Sequence, residues 1–328
     1  MNKPAIYITR QLPESVIAPY RNILDIEMWS KSEQPVDAST LMDKAQQVDG
    51  LVTMLSDQVS SELLGTAKGL KAVANLAVGF DNIDLTSAEE NEVVVTNTPD
   101  VLTETTADLT FALMLATARR IVEAADYVRN DEWKNWAPYL LAGTDVHHKT
   151  IGIVGMGRIG EAVAQRAKGF NMNILYHNRS RNTEAEQALQ ANYATFEELL
   201  IESDYVVCLA PYTEETHEMF NTQAFQKMKD TAIFINASRG KNVDEEALYD
   251  ALVAKEIKAA GVDVYRQEPI RASHPLLSLD NVVALPHIGS SSEETRTAMI
   301  QLCLDNLIEL FNGNVAKTPV TEKKRLST

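Results

Sequence analysis

Three polar residues stand just past three apolar runs. Asn236 leads into Ala237-Ser238-Arg239-Gly240, Asp263 into Val264-Tyr265-Arg266-Gln267-Glu268, and Leu285 into Pro286-His287. The runs Ala232–Asn236, Ala259–Asp263 and Val282–Leu285 read as strands. In open α/β sheets, ligands bind beyond the carboxyl ends of the strands. A carboxylate beside an imidazole orients the ring and stabilises its protonated form. A guanidinium offers a fork to a substrate carboxylate. Taken singly, each residue has a plain structural explanation: a terminal arginine, a surface glutamate before proline, a capping histidine. Taken jointly, they favour hydride transfer to a carbonyl acid.

A glycine loop supplies the second half of that chemistry. Gly155-Met156-Gly157-Arg158-Ile159-Gly160 follows a strand-like run and opens a helical pattern, the context that a dinucleotide-binding GxGxxG requires. The first glycine permits the turn, the second lets backbone approach a pyrophosphate, and the third lets helix and strand pack closely. A site reading the ribose 2′-hydroxyl places a carboxylate after the next strand. Here Asn173–His177 runs into Asn178-Arg179-Ser180-Arg181, with two arginines and no carboxylate. That composition suits a 2′-phosphate, so NADPH is the expected cofactor, with NADH possible.

The elements that must position these residues alternate along the chain. Ala5–Thr9, Leu24–Trp29, Gly50–Met54, Lys71–Ala77 and Val93–Thr96 form a first group of strand-like runs. A second group of six begins at Thr150–Met156 and adds Asn173–His177, Tyr205–Ala210 and the three runs above. Helical patterns between them point to α/β with parallel sheets. Thr195 with Glu198 is a capping box, and Asn221 or Thr222 can cap the next helix. Thr103–Arg129 reads as one helical segment, apolar nearly all round, and so buried in a core or against a partner subunit. Asp131–His148 carries Trp133, Trp136 and Tyr139 with little periodicity, as an interface arm or lid would. A last helix over Ser292–Phe311 is expected to return to the first domain, and the polar tail 317–328 to be loose.

Composition narrows the function classes. The chain has 328 residues, 45% of them hydrophobic and 23% charged. At about 150 residues per domain this is two globular domains. The net charge of −16 disfavours nucleic acid and anionic membrane surfaces as partners. Cys208 and Cys303 sit in apolar stretches and read as core thiols. No CxxC or HExxH pattern suggests a metal. The N-terminus does not read as a signal peptide, and the run Leu109–Ala118 is too short to span a bilayer. The expectation is a soluble, cytoplasmic protein.

Gly155–Gly160, Asn236–Gly240, Gly261–Val264, Glu268-Pro269 and Pro286–Ser290, with Val73–Asp84 and Thr96–Thr103, resemble the D-isomer-specific 2-hydroxyacid dehydrogenases over nearly the whole chain. Thr53–Asp57 and Trp133, Trp136 and Pro138 resemble the glyoxylate/hydroxypyruvate reductase branch. The resemblance implies a Rossmann-type nucleotide domain, residues 99–287, inserted into a flavodoxin-like substrate domain of residues 1–98 and 288–328. It implies a homodimer built by an arm over 103–148. It makes His287 the proton donor, Glu268 its partner and Arg239 the substrate-orienting cation. Leu55, Val78, Gly79 and Arg239 would bind substrate, with the Val78 and Gly79 amides on its carboxylate. Cofactor contacts would come from Thr106, Gly155, Gly157, Arg158, Ile159, Gly160, Asn178, Arg179, Ser180, Arg181, Ala237, Ser238, Asp263, His287 and Gly289. Leu140 stands where some glyoxylate reductases carry a tryptophan on the arm. The implied activity is reduction of a small 2-oxo acid to the D-2-hydroxy acid. Dehydrogenases of 2-ketogluconate or phosphoglycerate and a dinucleotide-sensing corepressor are the alternatives.

Overall fold

The computed structural model describes residues 3–322, 325 and 326. The chain divides into two compact units, residues 1–102 with 292–328, and residues 103–291.

The first unit is a five-stranded parallel sheet of β1 (Ala5–Ile8), β2 (Asp25–Met28), β3 (Gly50–Thr53), β4 (Ala72–Asn75) and β5 (Val94–Thr96). Its order, β2-β1-β3-β4-β5, is flavodoxin-like. Every residue of β3, β4 and β5 is buried, as strands covered on both faces must be. The intervening helices start on side-chain caps: Asp37 accepts from Thr40 N, Ser60 from Leu63 N and Asp84 from Ser87 N. The Glu293–Phe311 helix, capped by Ser292, packs on β3 and β4.

The tail expected to be loose is partly tied down. Pro319 bridges Thr96, the Val320 N–H donates to the Val95 carbonyl at 2.8 Å, and Thr321 is buried. Polarity misled here because the Thr318 and Thr321 hydroxyls find partners: Thr318 donates to the Asn97 carbonyl and Thr321 accepts from Val95 N. Residues 323, 324, 327 and 328 of that expected tail lie outside the described residues.

The second unit is a parallel sheet of seven strands. They are β6 (Thr150–Val154), β7 (Asn173–His177), β8 (Asn192–Tyr193), β9 (Tyr205–Cys208), β10 (Ile233–Asn236), β11 (Ala259–Val262) and β12 (Val282–Ala284). The order β12-β11-β10-β9-β6-β7-β8 is the doubly wound pattern, reversing direction between β6 and β9. The sequence suggested six strands; β8 has two residues, too few for an alternating pattern to register. The capping box at Thr195 and Glu198 is present, and Asn221 rather than Thr222 caps the helix beginning at Thr222. Cys208 and Cys303 are buried free thiols, and burial pushes Cys208 up to about 12.

The segment 103–129 is not one helix. It runs as Thr103–Ala118, breaks where Arg120 takes a left-handed conformation (φ 54°), and resumes as Ile121–Arg129. Phe111, Leu113 and Met114 of the first helix are buried within this unit's own core, against β10, β11 and the Arg158–Gly169 helix. Of the second helix no residue is buried, and Ile121, Val122 and Val128 are exposed. The irregular arm that follows exposes Trp133, Trp136 (75%) and Tyr139 (88%). Among the described residues, no helix is long and apolar enough to cross a membrane, and no His/Cys/Asp/Glu group could hold a metal.

Candidate active site

The glycine loop leaves β6 at Gly155, whose φ of +105° only glycine adopts cheaply. A Cβ there would lie 2.5 Å from Ala210 N. Gly157 is the N-cap of the Arg158–Gly169 helix, with no side chain capping it, and a Cβ built on it would meet nothing within 4 Å. A helix start with open space over its first N–H groups fits a dinucleotide pyrophosphate. Asn178, at the end of β7, braces this loop. Its Oδ1 accepts from Met156 N at 2.6 Å and its Nδ2 donates to the Met156 carbonyl at 3.2 Å. Asn178 is therefore part of the loop's support. Ile159 packs against the apolar core beneath.

The three residues after Asn178 differ in their surroundings. Arg181 forms a bidentate pair with Glu186, Nε to Oε1 at 3.0 Å and Nη2 to Oε2 at 2.7 Å, and lies over the Tyr193 ring. Glu186 also accepts from the Tyr176 hydroxyl. Arg181 is thus a strut of the turn. Arg179 and Ser180 are exposed, and among the described residues no partner holds the Arg179 side chain.

At the end of β10, Asn236 organises the turn that carries Arg239. Its Oδ1 accepts from Ser238 N at 3.1 Å and its Nδ2 donates to the Arg239 carbonyl at 3.0 Å. Ser238 Oγ donates to the Ala210 carbonyl, joining this turn to the end of β9, with Ala237 between. Gly240 follows, and a Cβ there would collide with the Tyr265 carbonyl carbon at 1.8 Å. Only glycine lets the Arg239 turn pack onto the backbone at Tyr265, three residues before Glu268.

Glu268 and His287 meet directly: His287 Nδ1 lies 2.7 Å from Glu268 Oε2. The other carboxylate oxygen accepts from Tyr265 N at 3.0 Å. Burial pushes the Glu268 carboxyl up, but the bond to His287, its charge, the Tyr265 N–H and the Arg239 charge outweigh this and hold it below the ordinary glutamate value. His287 adopts a left-handed backbone (φ 54°), and its N–H donates to the Asp263 carbonyl at 2.8 Å. Asp263 is buried, and its Oδ1 accepts from Ile288 N at 2.8 Å. Burial raises its pKa despite that bond. A Cβ built on Gly289 would lie 3.4 Å from both Asp263 Oδ2 and Thr106 Cγ2, so Thr106, Asp263 and Gly289 are neighbours.

In the first unit, Leu55 is half-buried in a turn closed by Asp57, whose Oδ2 accepts from Met54 N at 2.8 Å. Arg10 is buried with it, donating to Asp57 Oδ1 at 3.2 Å and to Ser56 Oγ at 2.6 Å. Val78 and Gly79 lie on the turn after β4, half-buried, and among the described residues their N–H groups meet no acceptor.

The supporting residues Asn236, Tyr265, Gly240, Arg10 and Asp57 were given no role from sequence, although Asn236, Gly240 and Asp57 lie within the motifs that carry the resemblance.

Known proteins are similar to this chain in sequence and fold. The family model for the NAD binding domain of D-isomer specific 2-hydroxyacid dehydrogenases matches residues 111–289. A glyoxylate reductase from Thermococcus onnurineus is 48% identical over 325 residues, covering 98% of this chain and 97% of the relative. One from Pyrococcus horikoshii is 47% identical over 325 residues, with 98% and 97% covered. The crystal structure of an NADPH-dependent glyoxylate/hydroxypyruvate reductase from Sinorhizobium meliloti, in complex with NADP and malonate, matches with a TM-score of 0.89 and 31% identity over 100% of this chain and 99% of that one. A matched nucleotide domain spanning more than half the chain, with end-to-end identity near one residue in two, makes this protein a member of the D-isomer specific 2-hydroxyacid dehydrogenase family.

Proposed function

We propose that glyoxylate or hydroxypyruvate is the 2-oxo acid which this D-2-hydroxyacid dehydrogenase reduces, with NADPH as the preferred form of its nicotinamide dinucleotide. The observation that carries the reading is the His287–Glu268 pair, set at the same end of the sheet as the Arg239 turn. Names of the relatives support the substrate class.

The roles follow from the chemistry of each group. An ionised Glu268 accepts the Nδ1 proton of His287, which fixes the ring and leaves Nε2 to hold the proton given to the substrate oxygen. Arg239 orients the substrate carboxylate and stabilises charge developing on the carbonyl oxygen. Val78 and Gly79 offer backbone N–H groups to that carboxylate, and Leu55 lies on the neighbouring strand-end turn of the same unit. Bound reduced nicotinamide supplies the hydride. Gly155, Gly157 and Gly160 shape its pyrophosphate site, with Arg158 and Ile159 in the first helical turn. Thr106, Ala237, Ser238, Asp263 and Gly289 line the nicotinamide side, and Arg179 and Ser180 read the 2′-phosphate.

The five-stranded unit is the substrate domain and the seven-stranded unit the nucleotide domain. The protein is a homodimer, a reading supported by the exposed Trp133, Trp136 and Tyr139 on the 103–148 arm. A cytoplasmic location is supported by its two free, buried cysteines. Mixing the purified protein with glyoxylate and NADPH tests the function. Turnover of roughly 1 per second or more fits a metabolic enzyme. Faster oxidation of phosphoglycerate with NAD would reverse the reading.

A further inference from the structure

The turn after β4 is held by bonds to three of its carbonyls. The Ala77 carbonyl accepts from Thr98 N at 2.8 Å, the Val78 carbonyl from Asn97 Nδ2 at 2.8 Å, and the Gly79 carbonyl from Asn75 Nδ2 at 2.9 Å. In a trans peptide the N–H points opposite to the carbonyl of the same plane. Each gripped carbonyl therefore aims the N–H that shares its peptide plane, of Val78, Gly79 and Phe80 in turn, away from its own grip. Among the described residues none of the three meets an acceptor.

Asn75 is itself oriented. It is fully buried, and its Oδ1 accepts from Thr53 Oγ1 at 3.0 Å, which leaves Nδ2 as the group facing Gly79. The same Nδ2 donates to Asn82 Oδ1 at 3.1 Å. Asn82 Nδ2 in turn donates to the Met54 carbonyl at 3.1 Å and the Asp57 carbonyl at 2.9 Å. One amide network thus ties the 78–80 turn to the Leu55 turn.

We propose that Asn75 and Asn97 are positioning residues for binding of the substrate carboxylate, and that the Phe80 N–H joins those of Val78 and Gly79 as a third donor. The inference rests on the reading that this turn binds that carboxylate. The asparagines act through the backbone and touch no reacting atom, so their loss weakens substrate binding and leaves the chemical step alone.

The experiment measures kcat and KM for glyoxylate at saturating NADPH, the inhibition constant of oxamate, and the NADPH dissociation constant. Asn97→Asp keeps the shape at a half-buried position and removes the donor; Asn75→Ala removes the buried grip. In both, KM and the oxamate constant should rise about tenfold or more, with kcat and NADPH binding within about threefold. Phe80→Pro, which deletes the added donor, should act likewise. Gly79→Pro deletes a donor while both grips remain and so tests the underlying reading. An unchanged KM in Gly79→Pro overturns the carboxylate turn itself. A raised KM in Gly79→Pro with wild-type values in a folded Asn97→Asp overturns the positioning role. An unchanged KM in Phe80→Pro removes Phe80 from the donor set. A parallel fall in kcat and NADPH affinity in Asn97→Asp would mark a merely structural residue and also overturn the proposal.

Discussion

Glu268 holds His287 with one carboxylate oxygen and the Tyr265 N–H with the other, at 2.7 and 3.0 Å. The backbone bond fixes where the carboxylate sits, and the carboxylate fixes the ring. His287→Gln should therefore lower kcat for glyoxylate reduction by at least about 100-fold, the low end for a general acid. NADPH affinity should hardly move. Steady-state kinetics with a binding titration checks both, and near-normal turnover would end the assignment.

The pH profile tests the partner. The Glu268 carboxyl lies below its ordinary pKa, so it stays charged through the mildly acidic range and loses its grip only when pH falls below that. Glu268→Gln removes the group whose lowered pKa sets that acid-side loss, so the part of the kcat/KM profile that falls with Glu268 protonation should vanish. A profile superimposable on wild type would show that the charge plays no part.

Cofactor choice separates the two arginines after β7. Arg181 is already paired with Glu186, whereas Arg179 is exposed. A charge-assisted hydrogen bond contributes about 1.5–3 kcal/mol, roughly a ten- to hundredfold preference. We expect NADPH over NADH by at least about tenfold in kcat/KM on that basis. Arg179→Ala should remove most of the preference and leave NADH kinetics nearly intact. Arg181→Ala should cost less selectivity, because it acts only through the shape of the turn. Equal kcat/KM for the two cofactors in the wild type would rule out reading of the 2′-phosphate.

Assembly is best probed on the arm. Leu113 is core within one chain, so a charge there tests folding. Trp136 and Tyr139 are exposed and outside that core. Wild type should scatter light as a dimer at micromolar concentration. Trp136→Glu with Tyr139→Glu should give a monomer that melts cooperatively. A stable wild-type monomer would contradict the proposal.

Much of this was legible in the sequence because the signals were local. Apolar runs of four to seven residues located every strand but β8, and the glycine spacing located the loop before the Arg158–Gly169 helix. What escaped was contact between residues far apart in the chain. Nothing near Arg120 announces its left-handed turn, and nothing near Gly240 announces the Tyr265 backbone it packs against. The buried Arg10–Asp57 pair joins residues separated by 47 positions. Arg181 reads as an unpaired cation, and its pairing with Glu186, five residues on, is not visible in the spacing.

The chain's return to its first unit sets an order of events during synthesis. β1 to β5 leave the ribosome before the seven-stranded unit, yet the helix covering β3 and β4, and the strand-like segment bonding Val95 and Thr96, come after it. The nucleotide unit is contiguous and can close while the earlier sheet still waits with an uncovered apolar face. That waiting sheet is the part of the nascent protein most exposed to aggregation, and the part a chaperone would hold.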